Sequence, residues 1–242
     1  LRGSSSQALD KKPYGFTTLL QDGDSNNNVS LLGMPSENDW VLNSLAYDPS
    51  MIRDYLSYTL ASNMGNYAPR VQYIEVIVNG DYKGVYFLTE KVKRDSDRVN
   101  LKKIADDDND FPDITGGYII KADKTTGGDE IAWTMPNYGG WDTNFLHHYP
   151  KTEDITSAQA NYIETIFYNL ADQTNPANTS IIDGYPSMID IPSFVDYILM
   201  AEIASNPDAY QFSTYFHKDR GGKLRAGPIW DYNLSFGNDL FV

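Results

Sequence analysis

The segment from Asn206 to Asn238 constrains the fold most. Two arms, Gln211–Lys218 and Lys223–Ile229, flank Asp219-Arg220-Gly221-Gly222, a pattern that predicts a β-hairpin. Asp208 stands just before the first arm, behind Pro207. Asp231 stands just after the second, in Trp230-Asp231-Tyr232-Asn233. A hairpin returns its two ends to one place, so both carboxylates are expected at one cleft. A proton acceptor plus a cation holder is the pair that phosphoryl transfer requires. On spacing alone a plainer account stands first, with Asp208 a turn former and Asp231 a cap or turn residue.

The 242 residues suit one large domain or two packed lobes, and 41% hydrophobic with 13% aromatic residues supply a core. A net charge of −14 repels a nucleic-acid backbone, so no nucleic-acid partner is expected. Any phosphate ligand then needs a local cluster of Lys or Arg, together with a cation. The chain has no cysteine, which excludes disulfides, thiol catalysis and Cys–zinc sites and fits an exported protein. No run of about 18 apolar residues occurs, so no membrane span is expected.

In chain order, Arg2-Gly3-Ser4-Ser5-Ser6-Gln7 is a small-residue loop beside Lys11 and Lys12. Its backbone N–H groups could cradle phosphate, and an ordinary solvated loop also accounts for it. Lys11–Leu20 reads as a strand. Asp22–Asn28 starts like a calcium loop, but Asn27 takes the place of the sharp-turn Gly and Gly33 that of the closing Glu, so it reads as a polar turn. Asp48-Pro49-Ser50 begins a helix to about Met64, with Ile52, Leu56, Leu60 and Met64 as its apolar stripe. Val71–Val78 and Val85–Leu88 form a second hairpin, which leads through Glu90 into a charged exit.

The acidic run 105–113 reads as a solvated loop. Gly116–Lys121 is a strand, and 125–149 a hairpin or irregular insert. His147 and His148 are adjacent and lack the spacing of a helical metal pair, so no zinc is proposed. Helices follow at Asp154–Gln173 and Pro192–Ala204. The second carries Phe194, Val195, Ile198, Leu199 and Ile203 as its apolar face.

Taken together, these segments resemble the CotH family, the spore-coat-protein-type atypical kinases. The resemblance spans nearly the whole chain. It rests on Arg2-Gly3-Ser4-Ser5-Ser6 with Lys11-Lys12-Pro13-Tyr14, and on Asn38-Asp39-Trp40 before the helix bearing Arg53. It rests also on Asn79-Gly80-Asp81-Tyr82-Lys83-Gly84-Val85-Tyr86 with Glu90, on Tyr149-Pro150-Lys151, and on Asn206 and Asp208 leading to Trp230-Asp231 and Phe236-Gly237. The subgroup is similar to that of gut-type Bacteroidetes.

The resemblance implies an α+β fold of atypical protein-kinase type with two lobes. Residues 1–94 would form an antiparallel-sheet N-terminal lobe and 95–242 a more helical C-terminal lobe, with the domain truncated at both ends. It implies an ATP- and Mg²⁺- (or Mn²⁺-) dependent kinase acting on Ser or Thr of a secreted or surface protein, outside the cytoplasm. Asp208 would be the catalytic base, and Asp231 would hold the metal with help from Asn233 and Ser213. Arg2, Lys11, Lys12 and Glu90 would serve the nucleotide. Period 2 sends Lys11 and Lys12 to opposite faces, so either could point inward.

Three departures stand against full activity. Asn233 replaces the family's second Asp, Ser213 stands where kinases keep a metal-binding Asn, and the helix offers only Asp54 as an acidic partner for a lysine. The rival reading is therefore a non-catalytic surface adhesin or scaffold, which the aromatic insert Trp133–Tyr149 would serve. A carbohydrate-active domain is a third reading, because paired acids and aromatics also serve glycosidases.

Overall fold

The computed structural model describes residues 1, 3, 5–125, 129–136, 140–174 and 177–238. Two antiparallel sheets organise an α+β chain. The first contains β1 (Tyr14–Thr17), β2 (Asp39–Asn43), β3 (Val71–Val78) and β4 (Asp81–Glu90), in the order β1-β2-β4-β3. The β3–β4 hairpin pairs Val78 with Asp81 at its tip and Val71 with Thr89 at its base. Strand β1 is shorter than the expected Lys11–Leu20. Pro13 has no N–H to give a ladder, and the pairing with β2 starts after it.

The second sheet contains β5 (Tyr118–Ala122), β6 (Trp133–Pro136), β7 (Asp142–Tyr149), β8 (Thr214–Lys218) and β9 (Leu224–Ala226), in the order β6-β7-β5-β8-β9. Its central strand β5 buries Tyr118, Ile119, Ile120 and Ala122, so both of its faces are covered. Helix α1 (Arg53–Asn63) precedes β3. Helix α2 (Ser157–Thr174) lays Ile163 and Phe167 against Trp133, Phe145 and Phe216. A one-turn helix α3 (Tyr185–Met188) leads into α4 (Ile191–Ala204). Among the described residues no helix is long and apolar enough to cross a membrane.

The predicted β8–β9 hairpin forms, with a shorter second arm. Its tip is pinned to the acidic run 105–113, which is not simply solvated. Arg220 reaches Asp108 (2.6 Å) and Asp113 (2.7 Å), and Asp219 Oδ1 accepts from Lys102 N–H (2.9 Å). Gly116 lies beneath the tip, where a Cβ would come within 2.0 Å of the Arg220 nitrogen, so no larger residue fits.

Two helix faces depart from expectation. The stripe of α1 expected in the core points outward: Ile52, Leu56 and Met64 are exposed, and Leu60 alone packs inward. The face that α1 buries is Asp54, Ser57, Tyr58 and Ala61. Helix α4 does the same. Of the expected face, Phe194 packs inward, but Val195, Ile198, Leu199 and Ile203 face outward together with Ile191, while Ser193, Tyr197, Met200, Ala201 and Ala204 are buried. The cluster of Tyr58, Ala61, Tyr197, Met200, Ala204, Ile229 and Tyr232 explains the inversion. Small residues and tyrosines let the two helices and the 229–236 loop approach closely, and the tyrosines bring hydroxyls into the interior.

Candidate active site

A cleft of about 690 Å³ is lined by both sheets. The first sheet contributes Gly15, Phe16 and Thr17 of β1, and Asp39 and Asn43 of β2. The second contributes Lys121 of β5 and His148 of β7, and the two ends of the β8–β9 hairpin complete the lining. Asp208, Ser213, Asp231 and Asn233 all line it, so the hairpin brings to one cavity the four residues that sequence placed there. Asp208 lies in the turn after α4. Its N–H donates to Asn206 Oδ1 (3.2 Å) and its carbonyl accepts from Phe212 N–H (2.8 Å).

Asp231 adopts φ = +61°, a left-handed conformation that costs a residue with a Cβ about 1–2 kcal/mol. The inner face of α1 holds the loop there. The Tyr58 hydroxyl oxygen accepts from Asp231 N–H (3.2 Å), Asp54 Oδ1 accepts from Tyr232 N–H (2.7 Å), and Arg53 Nε donates to the Ser235 carbonyl (2.9 Å). Asn238 Nδ2 donates to the carbonyls of Tyr47 (2.7 Å) and Asn233 (2.8 Å) and closes the loop. Asn233 Nδ2 donates to Asp231 Oδ1 (2.6 Å), so this carboxamide orients the acid beside it.

Asp54 is the acid that the sequence weighed as a lysine partner. It instead sits behind Asp231, with Asn43 Nδ2 donating to its Oδ2 (3.2 Å). Burial, then the charge of Asp231, pushes its pKa up to about 8. Burial and the same two acids also raise the Tyr58 phenol.

The cations of the cleft are Lys91, Lys121, Lys124 and Lys151. Lys121 pairs with Asp129 (2.5 Å) and Asp123 (3.6 Å). Burial lowers the Lys151 pKa, with Lys91 and Lys121 pushing the same way and Asp129 opposing. His148 is half-buried and neutral. Burial and the charges of Lys151, Lys121 and Lys91 lower its pKa to about 3, against the opposing hydrogen bond from Nε2–H to the Val92 carbonyl (2.8 Å). Cations crowded in this way favour an anion among them.

The sequence reading did not assign these lysines to a ligand. One signal was Lys121, a charge inside the apolar strand Tyr-Ile-Ile-Lys-Ala. Another was Lys151, quoted only as part of a motif.

Of the residues expected to serve the nucleotide, Lys11, Lys12 and Glu90 are not in this lining. Lys11 precedes β1, so strand alternation does not govern it. Its ammonium, its pKa lowered by burial, donates to the Val85 carbonyl and lies 4.7 Å from the Tyr86 ring centre. Lys12 donates to the Gln7 carbonyl (2.7 Å). Glu90 is fully buried and held by Arg70 (2.9 Å) and Arg98 (3.4 Å), so its carboxylate is committed to the scaffold. Arg2 lies outside the described residues. His147 and His148 diverge, with His147 packing against Trp133 (5.8 Å).

Among the described residues no three His, Cys, Asp or Glu converge as a cage for a cation. Mg²⁺ does not need one. It takes one or two carboxylates and fills its remaining positions with phosphate oxygens and water. Asp231, oriented by Asn233, fits that donor set, and the lysines fit the phosphates.

An α+β chain with two acids and a lysine cluster in one cleft has the parts of a phosphate-handling protein. The chain belongs to the CotH kinase protein family, whose description matches residues 1–240. Comparison with curated proteins finds no match.

Proposed function

We propose that this protein is a phosphotransferase that uses ATP with Mg²⁺ or Mn²⁺ to phosphorylate Ser or Thr of an extracytoplasmic protein. The observation that carries this reading is the convergence of Asp208 and Asp231 with Lys91, Lys121 and Lys151 in one cleft. The strands up to Glu90 serve as the nucleotide-side lobe, and the second sheet with its helices as the acceptor-side lobe. Asp208 accepts the proton of the acceptor hydroxyl. That oxygen bonds the γ-phosphorus, the bond to the β-phosphate oxygen breaks, and ADP leaves. Asp231 would hold the metal, with Asn233 fixing its orientation and Ser213 in the same cleft. The lysines hold phosphate oxygens, while α1 keeps the Asp231 loop in its strained conformation. Bound Mg²⁺ neutralises charge on the phosphates during transfer.

The test is thermal shift with ATP, with and without Mg²⁺ or Mn²⁺. Wild-type protein is expected to gain melting temperature with ligand concentration only when metal is present. Asp231→Ala is expected to abolish the gain, and Lys151→Ala to weaken apparent affinity about tenfold, the loss of one charge-assisted contact. Asp208→Asn is expected to keep binding and lose phosphorylation of protein substrate. No shift with any nucleotide and metal defeats the reading. The scaffold alternative loses one support, because Trp133 and Phe145 of the aromatic insert are core residues. Only Trp141 of that insert's tryptophans is exposed.

A further inference from the structure

A second cavity, of about 110 Å³, lies between the C-terminal end of α1, α4, the β8–β9 hairpin and residues 98–100, and it shares no lining residue with the cleft. We propose that it binds a small organic ammonium ion that also carries a hydroxyl or carbonyl oxygen, an amino alcohol being the simplest form. The proposal does not depend on the phosphotransfer reading.

Charge decides the sign of the ligand. The charged residues of the lining are Arg98, Arg225 and Asp196. Both arginines already have carboxylates: Arg98 meets Asp95 (3.2 Å), Glu90 (3.4 Å) and Glu37 (3.6 Å), and Arg225 meets Asp190 (3.0 Å). Asp196 has no Lys or Arg within ion-pair distance among the described residues. Its Oδ2 accepts from the Asn66 carboxamide (2.7 Å). The cations of this cavity are balanced by the protein and its anion is not, which favours a positively charged ligand.

Hydrogen bonding decides the rest. The Arg98 side chain has no exposed surface. One terminal nitrogen donates to Asp95 and the other to the Pro35 carbonyl (3.4 Å), but Nε–H has no hydrogen-bond partner among the described residues. A buried donor left in that state is costly, and an oxygen on the ligand satisfies it. His217 supplies the opposite group. Its Nδ1–H donates to the Gly227 carbonyl (2.9 Å). Burial, with the charge of Arg225, lowers its pKa against that hydrogen bond, so the ring is neutral and Nε2 keeps a lone pair. The lining therefore offers a carboxylate and an imidazole nitrogen to the N–H groups of an ammonium, and one N–H to an oxygen.

Size and walls set the scale. The cavity is smaller than the roughly 150 Å³ that houses benzene, so its ligand has on the order of four to six heavy atoms. Ala61, Val99, Met200 and Ile229 give its methylene groups a buried apolar wall, and the Tyr67 and Tyr197 rings add surfaces that attract cations. Gly65 and Asn100 of the lining are exposed, so the cavity has access to solvent. Its wall at Gly227, Pro228 and Ile229 continues directly into Trp230 and Asp231 of the cleft.

Calorimetric titration with ethanolamine to about 20 mM tests it, with a Kd on the order of 1 mM expected for so few atoms. Propylamine, which lacks the oxygen, is expected to bind about threefold to tenfold more weakly, and ethylene glycol and acetate not at all. Asp196→Asn is expected to weaken ethanolamine at least about tenfold. In wild-type protein labelled with ¹³C-methyl methionine, ethanolamine is expected to shift the signal of Met200 most, which locates the ligand without a substitution. No heat and no Met200 shift overturn the proposal and leave a solvent-filled cavity. Acetate binding in place of ethanolamine overturns it in favour of an anion site. Ethanolamine binding that spares Met200 and ignores Asp196→Asn overturns it as general attraction to an acidic surface.

Discussion

Two buried acids in this molecule are handled in opposite ways. Glu90, with no exposed surface, is met by two guanidinium groups and the Arg70 N–H (3.0 Å). Asp54, 1% exposed, is met by an amide and a carboxamide and is faced by a second carboxylate, Asp231. The first arrangement neutralises charge within the protein and ties the exit of β4 to the segments around Arg70 and Arg98. The second concentrates negative charge at a cleft and leaves it to a proton or a cation to balance. A buried acid therefore marks scaffold or site according to the charge of its neighbours, and burial alone does not distinguish them.

The largest effect that would break this comparison is at the scaffold acid. Glu90→Gln leaves Arg70 without its carboxylate, and Arg98 with only Asp95 (3.2 Å) and Glu37 (3.6 Å), and is expected to cost about 3 kcal/mol in urea unfolding, the lower end of what removing one partner of a buried pair does. A loss under about 1 kcal/mol would show that Glu90 is not structural.

At the site acid the signature is pH dependence. The folded state holds the Asp54 proton up to about pH 8, whereas the unfolded chain releases it near the ordinary carboxylate value. The folded state thus binds the extra proton across that window, so stability falls as pH rises through it. The slope approaches about 1.4 kcal/mol per pH unit at most. The difference in unfolding free energy between wild type and Asp54→Asn, measured from pH 5 to 8, is expected to fall with pH; a flat difference refutes the arrangement.

Asp231→Asn relieves Asp54 and tolerates φ > 0 better, so it is expected to stabilise the fold by about 1 kcal/mol while losing the metal-dependent ATP shift. The smallest effect belongs to the cleft lysines. Lys151→Met removes a cation disfavoured by its surroundings and is expected to change stability by no more than about 0.5 kcal/mol.

The elements that hold the site were legible because their signals are local. Turn residues bracket the β8–β9 hairpin, and alternation marks β3 and β4. From the first hairpin alone, Asp208 and Asp231 could be placed together. The lysines were not legible in the same way. Lys91, Lys121 and Lys151 come from three separate segments that only the five-stranded sheet and the exit of β4 unite. Lys11 and Lys12 were expected at the nucleotide because the family resemblance implies a lysine on the first strand, and Pro13 ends the strand periodicity before it reaches them. Helical periodicity found the stripes of α1 and α4 but, Leu60 and Phe194 apart, gave them the wrong side. Period reports that a face is apolar, not what covers it, and here the interior is made of tyrosines, small residues and Asp54.

The pinning of the β8–β9 tip has a mechanical consequence. With Arg220 gripping two aspartates, Gly116 packed beneath, β8 paired to β5 along its length and the Asp231 loop held by α1, the hairpin is a beam fixed at both ends. A beam so fixed resists bending, and salt that weakens the Arg220 pairs frees only the end remote from Asp208 and Asp231.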